Sequence, residues 1–295
     1  MSSGPAGSVP SLEEARALAR RHGLTSLSAR PGLGRYLAQL WERRQFILTL
    51  SAAQGAAKYE KNRLGQLWSL LNPALLIVSY YLIFGLLLRT NRGVDNFIAF
   101  LSIGVVLFGV AASVIRSGSK AISSNLGLVR ALRFPRAALP IAVGLTELYT
   151  AWPAFALLLV LTPVTGEPLS WHWLLFPVAV LLQIAQLTGL ALLAARIVNA
   201  SRDLANFIPL MIRLTRYTSG VFFSIAVFAA QFPAVVQTVL TYQPFALQLE
   251  LGRQALLAEY PLLLTSWLAS GAWAVGLLVV GLVVFWRGEG TYGRG

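Results

Sequence analysis

The chain has 295 residues, of which 56% are hydrophobic and only 12% are charged, against roughly 25% charged residues in a soluble globular protein. A formal net charge of +13 would suggest nucleic-acid binding in a soluble protein, but here the basic residues lie between hydrophobic runs rather than on one polar face. Cysteine is absent, which excludes disulfides and thiolate metal sites. The composition predicts a membrane protein that holds no metal and binds no nucleic acid.

The N-terminal part of the chain is polar and rich in arginine. Residues 1–32 contain many Ser, Gly, Pro and Arg residues, and we expect a disordered cytoplasmic tail with a short helix at 11–21. Residues 33–63 alternate leucines with charged side chains, which predicts an amphipathic helix. Such a helix lies on a membrane surface. Packing of the same helix against a partner protein is the alternative.

The stretch 58–73 joins this polar part to the apolar remainder of the chain. Basic residues cluster at its start, and apolar residues then recur at steps of three and four, as in a helix that turns from the membrane surface inward. We predict an interfacial hinge formed by Lys58, Lys61, Arg63 and Trp68.

Six apolar runs are long enough to cross a bilayer as helices. They are residues 66–88, 96–115, 138–161, 174–196, 204–227 and 263–285. The fifth is the weakest, because Arg213 and Arg216 interrupt it. We predict an all-α integral membrane protein with a transmembrane domain at 64–286 and a cytoplasmic tail at 287–295. A broken apolar tract at 228–260 is expected to form short helices that dip into the outer leaflet.

The basic residues predict the orientation of these spans. If the N-terminus is cytoplasmic, nearly all Lys and Arg residues outside the spans fall on the cytoplasmic side, and only Arg89, Arg92 and Arg253 fall outside. Six spans return the C-terminus to the cytoplasm. We therefore expect a multi-pass protein with both termini inside the cell.

Several segments, taken in order, resemble the permease subunits of type-2 ABC exporters that move O-antigen, teichoic acid, galactan or other lipid-linked polysaccharides. They are Lys58–Trp68, Asn125–Arg130 followed by Arg133–Pro140, Arg202–Asp203, Tyr217–Gly220, and Tyr242–Phe245 with Glu250 and Arg253. The chain departs from the family pattern at Glu60, Gly220 and Gln243. The resemblance implies a homodimer in the plasma membrane that works with two copies of a nucleotide-binding ATPase. It also implies that a lipid-linked polysaccharide is the substrate and that membrane lipids surround the chain.

ATP and Mg²⁺ are expected on the ATPase, because the chain contains no Walker A sequence. The cytoplasmic connection 117–137 combines basic and apolar residues, which suits a short helix that docks into a groove on a partner. The resemblance identifies this partner as the ATPase; an ordinary basic loop is the alternative. The predicted coupling residues are Asn125, Leu128, Val129, Arg130, Arg133, Phe134 and Arg136.

The fifth run carries the most informative side chains. Two arginines within a membrane span should face a protein interior or a water-filled path rather than lipid. Glu147 of the third run lies at a similar predicted depth, so we predict a buried ion pair between Glu147 and Arg213 or Arg216, with the other arginine left for a substrate phosphate. Neutralisation of both arginines by Glu147 and backbone carbonyls is the structural alternative.

Aromatic side chains in the first and fifth runs suggest a surface on which sugar rings stack, although anchoring at the membrane interface is the more common role. The predicted substrate path comprises Arg213, Arg216, Tyr217, Ser224, Tyr80, Tyr81, Phe84, Phe222 and Phe223. No catalytic residue is predicted. Two other functions stay open at this point: a type-2 exporter of drugs or lipids, and a membrane-embedded enzyme acting on isoprenoid-phosphate glycolipids.

Overall fold

The computed structural model describes residues 32–60, 67–89 and 93–292, together with Glu14, Leu18 and Arg21; at 59, 60 and 202 it describes the backbone alone. Glu14, Leu18 and Arg21 are helical. Most of the predicted 1–32 tail lies outside the described residues, as do the predicted hinge residues Lys61 and Arg63.

The described residues form helices and connecting turns, without a β-strand. The helices are α1 Leu33–Glu42, α2 Arg44–Glu60, α3 Leu67–Leu87, α4 Phe97–Ser119, α5 Leu126–Ala131, α6 Ala138–Val164, α7 Phe176–Ala200, α8 Phe207–Thr218, α9 Ile225–Ala229, α10 Ala234–Tyr242, α11 Pro244–Leu256 and α12 Leu264–Arg287. Within α3, the last seven residues, Tyr81–Leu87, are π-helical. Short 3-10 turns at Trp171–Leu175 and Arg202–Asn206 precede α7 and α8, and another at Glu289–Thr291 follows α12.

Among the described residues, five helices are long and apolar enough to cross a membrane: α3, α4, α6, α12, and α7 with its preceding turn. The prediction of an all-α multi-pass membrane protein is confirmed at this level. The predicted short helices in the tract 228–260 are also present, as α10 and α11.

The predicted fifth span at 204–227 is not one continuous helix. Helix α8 ends at Thr218, and the chain turns at Gly220, whose φ of +77° lies in the left-handed region that favours glycine. Ser219, Val221 and Phe222 are buried in this turn. The apolar run 204–227 is therefore longer than helix α8, since Gly220 ends the helix before the run ends.

Helix α4 is the centre of the bundle. Most of its residues are buried, and it contacts α3, α6, α7, α8 and α11. Buried amides add polar contacts between helices: Gln183 of α7 donates to the carbonyl of Leu107 at 2.8 Å, and Gln248 of α11 donates to Gln186 at 3.0 Å and to Ser270 at 2.9 Å. Such bonds join helices that are otherwise held by apolar packing.

The two ends of the bundle contain different parts of the chain. At one end, Tyr36 of α1 and Arg136, just before α6, both bind Glu289, just after α12. At the other end, Asn96 donates to the carbonyl of Thr165 at 3.2 Å, and the Asp95 N–H donates to Glu259 at 2.9 Å. Partial burial raises the pKa of the Glu259 carboxyl, while that N–H acts in the opposite direction. The contacts of Glu289 with Tyr36 and Arg136 show that the N-terminal helices and the segment after α12 lie at the same end of the bundle.

Helices α7 and α12 touch backbone to backbone. A Cβ atom at Gly189 would lie 2.3 Å from the carbonyl oxygen of Leu277, and one at Gly281 would lie 2.4 Å from the oxygen of Gly189. Both distances are shorter than any real contact of this kind. Glycine is thus required on both helices for their close approach.

This contact predicts a sharp difference between two glycines. Gly189→Val should lower the free energy of unfolding by about 1–3 kcal/mol or prevent folding, because the added atoms have no space. Gly271→Val is the matched control, since nothing lies within 4 Å of its Cβ position. Thermal unfolding of the purified variants in detergent measures both effects, and equal melting temperatures for the two variants would contradict the proposed packing.

Candidate functional site

An aromatic–arginine cluster joins α3 to α8 and the following turn. It consists of Tyr80, Phe84, Arg216, Tyr217 and Phe222. The ring of Phe84 stacks on that of Phe222, with centroids 4.2 Å apart and an interplanar angle of 12°. Tyr80 meets Phe222 edge to face at 4.9 Å, and Tyr217 lies 5.6 Å from it. These are favourable geometries for aromatic pairs.

The arginine of this cluster has two partners. Its Nη1 donates to the Tyr80 hydroxyl at 2.9 Å, and its guanidinium carbon lies 5.3 Å from the ring centroid of Phe108 on α4. A cation over an aromatic face gains electrostatic attraction from the ring. Arg216 is half-buried. Its guanidinium contacts two neutral partners, Tyr80 on α3 and Phe108 on α4, and the aromatic–arginine cluster contains no carboxylate.

Of the predicted substrate path, the structure brings together the five residues of this cluster, and the other four lie elsewhere. Tyr81 packs instead near Phe97, with centroids 6.4 Å apart, and Phe223 packs on Phe228 at 4.7 Å. Ser224 is half-buried where α9 begins. Arg213 is exposed on α8. Tyr217 is 53% exposed whereas Phe222 is 1% exposed, so in this conformation Phe222 supports the surface and Tyr217 contributes to it.

A buried arginine holds the turn that carries Phe222. Arg253 of α11 is 2% exposed; its Nη2 donates to the carbonyl of Gly220 at 2.7 Å, and its guanidinium lies 3.5 Å from the ring centroid of Phe100. A Cβ at Gly104 of α4 would lie 2.9 Å from the carbonyl oxygen of Val221. The sequence had placed residue 253 on the outer side of the membrane; in the structure its side chain is an internal support. The pattern of α11 did not distinguish a buried arginine from an exposed one, because the helix also contains Gln248, Glu250 and Gln254.

Glu147 of α6 is the centre of a second polar site. Its carboxylate accepts hydrogen bonds from Lys58 Nζ at 2.7 Å, Ser113 Oγ at 2.6 Å and Ser117 Oγ at 3.1 Å. Its side chain is 7% exposed and that of Lys58 is 37% exposed. Lys58 also lies 3.4 Å from the Thr150 hydroxyl. The site therefore joins α2, α4 and α6 through one ion pair and its hydroxyl donors.

The predicted ion pair between Glu147 and Arg213 is wrong, because the cation that binds Glu147 is Lys58. Linear depth along two spans suggested the arginines, but α2 packs against α6 over much of its length. Gly55 of α2 lies directly against Tyr149: a Cβ there would be 2.8 Å from its ring. This close approach lets the long side chain of Lys58 reach the carboxylate. Of the predicted hinge, Lys58 thus forms the ion pair and Trp68 lies partly exposed near the start of α3.

The connection 117–137 forms the predicted short helix, α5. Most of its apolar side chains pack against its own chain, which differs from the expectation that they all form the docking surface: Val129 is buried, Leu128 is half-buried, and the Phe134 ring lies 5.1 Å from that of Phe46 on α2. Two polar residues of the predicted set also point inward. Asn125 accepts from Gln54 at 3.4 Å, and Arg136 binds Glu289.

The exposed surface of this connection is basic and contains one large apolar side chain. Arg130 and Arg133 are exposed, and between them Leu132 is 51% exposed. Leu132 is one of the apolar residues from which the sequence suggested a docking face. Among Leu126, Leu128, Val129, Leu132 and Phe134, it is the exposed one.

Comparison of the sequence with known proteins identifies the family of this chain. No family model matches the chain. The O-antigen export system permease protein RfbA of Myxococcus xanthus is 30% identical over 192 residues, which cover 65% of this chain and 73% of that protein. The chain belongs to the family of ABC polysaccharide-export permeases. A permease of the same name from Klebsiella pneumoniae is 28% identical over 193 residues, or 64% of this chain and 71% of that protein.

The ordered sequence motifs had indicated this family, and the relatives confirm it. The permease is a transport subunit with several apolar helices.

The ion pair at Glu147 predicts an asymmetric mutant cycle in the permease. Lys58→Met should lower the melting temperature more than Glu147→Gln, because it leaves a buried carboxylate without a counter-charge, whereas the lysine left by Glu147→Gln can reach water. The double variant should recover part of the loss, with a coupling energy of about 1–3 kcal/mol. Thermal unfolding in detergent measures the cycle, with Glu42→Gln as an exposed control. Additive effects would show that the pair contributes nothing.

Proposed function

We propose that this permease exports a lipid-linked polysaccharide of the O-antigen type across the plasma membrane, as a homodimer with two copies of an ATPase subunit. The aromatic–arginine cluster between α3 and α8 is the observation that carries the proposal. The names of the relatives support the substrate class, since each is an O-antigen export permease. ATP and Mg²⁺ bind to the ATPase subunits in this proposal, and none of the permease residues is catalytic.

We infer six membrane crossings, with α8 as the additional one. The turn Arg202–Asn206 and helix α8 follow each other directly and together span about 28 Å at the usual rises of 3-10 and α-helices. The hydrocarbon core of a bilayer is about 30 Å thick. An even number of crossings agrees with the contact of α1 and the segment after α12 at one end of the bundle.

That end is cytoplasmic in our proposal, and α1 with α2 forms the amphipathic layer at the membrane surface. The end contains the basic connection 117–137 and the basic N-terminal helices, and cytoplasmic loops carry an excess of Lys and Arg. Trp41 is 71% exposed on α1, and a tryptophan at this level suits the membrane interface. Helices α10 and α11 then lie toward the outer leaflet.

The cluster suits a glycan with a phosphate at its lipid-linked end. Aromatic faces carry partial negative charge and attract the C–H groups on the face of a sugar ring. This contact does not require one fixed sugar orientation, so a polymer can move along it. Exposed Tyr217 and Arg213 follow one another along α8, and a guanidinium is well suited to bind phosphate. The second copy of the chain closes the path on the exposed side of α3 and α8.

The ATPase binds the exposed basic surface around Leu132 in this proposal. Arg130 and Arg133 flank an apolar side chain there, which is the composition of a docking site with one anchor and charged surroundings. The inward side chains of the same connection pack on α2 and α6. Movement of the ATPase is therefore delivered to both helices.

The two arginines of α8 should differ in their effects on export. Arg213→Ala should reduce export of the cell's own glycan about tenfold or more, with an unchanged melting temperature, because an exposed phosphate ligand is lost. Arg216→Ala should lower both, because its contacts with Tyr80 and Phe108 are lost as well.

Surface glycan in a strain that lacks the native permease and carries each variant measures export. Arg35→Ala on α1 is the exposed control, and Arg213→Lys should retain part of the activity. Full export by a stably folded Arg213→Ala variant would remove this residue from the substrate path.

Docking of the ATPase predicts a position-specific loss of assembly. Leu132→Asp should abolish co-purification of the ATPase without lowering the melting temperature, because it places a carboxylate in the apolar centre of a proposed interface. Leu169→Asp is the matched control: Leu169 is 75% exposed on the connection between α6 and α7, at the opposite end of the bundle. Equal co-purification by the two variants would exclude Leu132 from the interface.

A further inference from the structure

The segment that follows α12 is bound to two distant parts of the chain. We call the residues involved the C-terminal clasp: Tyr36 of α1, Arg136 of the connection 117–137, and Glu289 and Tyr292 after α12. The sequence had suggested only a cytoplasmic tail at 287–295. The structure shows an ordered set of hydrogen bonds through Tyr292.

Both carboxylate oxygens of Glu289 are used in the clasp. Oε2 accepts from the Tyr36 hydroxyl at 2.8 Å, and Oε1 accepts from the backbone N–H of Arg136 at 3.0 Å. The Tyr36 hydroxyl in turn accepts from the N–H of Ala137 at 3.1 Å. The side chain of Arg136 also binds this segment. Its Nη1 donates to the carbonyl oxygen of Glu289 at 2.7 Å and to the carbonyl oxygen of Tyr292.

The clasp includes buried aromatic side chains that pack against the end of α12. Tyr36 is 1% exposed and Tyr292 is 0% exposed. The Tyr292 ring stacks on Phe285 with centroids 4.4 Å apart, and its hydroxyl donates to the Phe285 carbonyl at 3.0 Å. Burial raises the pKa of the Tyr36 hydroxyl above its usual range, and the Glu289 carboxylate raises it further. Tyr36 therefore stays protonated and remains a donor to Glu289.

The segment between α5 and α6 runs from exposed residues into the clasp. After α5 the chain is extended at Leu132, with φ −122° and ψ 146°, and residues 131–133 are exposed. Arg136 and Ala137 are the last residues before α6. A load applied to the exposed surface near Leu132 must pass through this segment to reach α6. A segment free to bend would absorb such a load, whereas one fixed at its far end transmits it.

We propose that Glu289 is a positioning residue for energy coupling: with Tyr36 it fixes the C-terminal end of the connection 117–137, so that movement of the ATPase displaces α6 and α1 together. The inference rests on the proposed ATPase partnership. It assigns a coupling role to the segment after α12, which lies far in sequence from the connection. Glu289 acts through Arg136 and Tyr36 and does not touch the substrate.

The test separates coupling from folding. The permease and its ATPase are purified as a complex, and Glu289→Gln, Glu289→Asp and Tyr36→Phe are compared with wild type. ATP hydrolysis by each complex, export of the cell's own glycan by the complemented strain, and the melting temperature are measured. Glu42→Gln is the control for loss of a carboxylate, since Glu42 is exposed on the same helix as Tyr36. Tyr149→Phe is the control for loss of a hydroxyl on a 54% exposed tyrosine.

Glu289→Gln and Tyr36→Phe should retain ATP hydrolysis within about twofold while export falls about tenfold, the factor that corresponds to one hydrogen bond to a charged group. Glu289→Asp should recover part of the export, because it retains the charge. Both controls should match wild type in each measurement. A fall of hydrolysis and export in parallel with the melting temperature would reduce the clasp to a folding element and overturn the proposal.

A distance measurement adds a readout that does not depend on substrate. Because the sequence has no cysteine, spin labels at Trp41→Cys and Gly127→Cys attach to the permease at two exposed positions only, on α1 and on the connection, and the Leu132 anchor is kept. Labelled chains diluted with unlabelled ones should give one narrow distance distribution, with and without ATP and vanadate. Glu289→Gln should broaden it.

The same distribution in the variant, together with unchanged export per ATP hydrolysed, would overturn the clasp proposal alone. A wild-type complex that neither hydrolyses ATP nor exports glycan would overturn the proposed function, and the inference with it.

Discussion

A charged group placed among apolar helices must find its counter-charge and its hydrogen-bond partners within the protein, and this constraint organises the structure. Glu147 lies about 14 Å along α6 from its first residue, by the usual helical rise. Its carboxylate is matched by Lys58 and by two serine hydroxyls of α4. Meeting this requirement brings the polar N-terminal helix α2 against α6. The same ion pair thus neutralises a charge and fixes the arrangement of three helices.

The same constraint is solved differently for the arginines. Arg253 is buried and forms no salt bridge with the described residues; its guanidinium lies over the face of Phe100 and donates to a backbone carbonyl at a helix-breaking glycine. Arg216 uses Tyr80 and Phe108. A guanidinium can do this because it is planar and delocalised and presents several donors. The aromatic residues near α8 therefore support positive charge as well as each other, and a cation on α11 holds the turn at Gly220.

Hydrophobic run length and motif order predicted most of the fold and the family. The runs near 66–88, 96–115, 138–161, 174–196 and 263–285 form helices long and apolar enough to cross a membrane, because about 20 apolar residues leave few other structures open. Hydropathy could not predict where α8 ends, since that depends on the left-handed Gly220 and its contact with Arg253. Partners across the bundle were equally hidden: the sequence gives no sign that Lys58 lies beside Glu147, or that residues 36, 136 and 289 meet. The inward packing of the connection 117–137 depends on α2, so part of its amphipathic pattern serves packing within the chain, which the sequence alone could not show.

The direct approach of Gly189 to the α12 backbone has a mechanical consequence. Two helices that meet through their main chains cannot slide past one another without collision, because no flexible side chain lies between them to rearrange. This contact therefore favours movement of α7 and α12 as one unit. The contact between α3 and α8 is of a different kind, because aromatic side chains lie in it and side chains can change rotamer without moving a backbone. The two contacts therefore differ in how readily they can rearrange, according to whether glycine or aromatic residues occupy them.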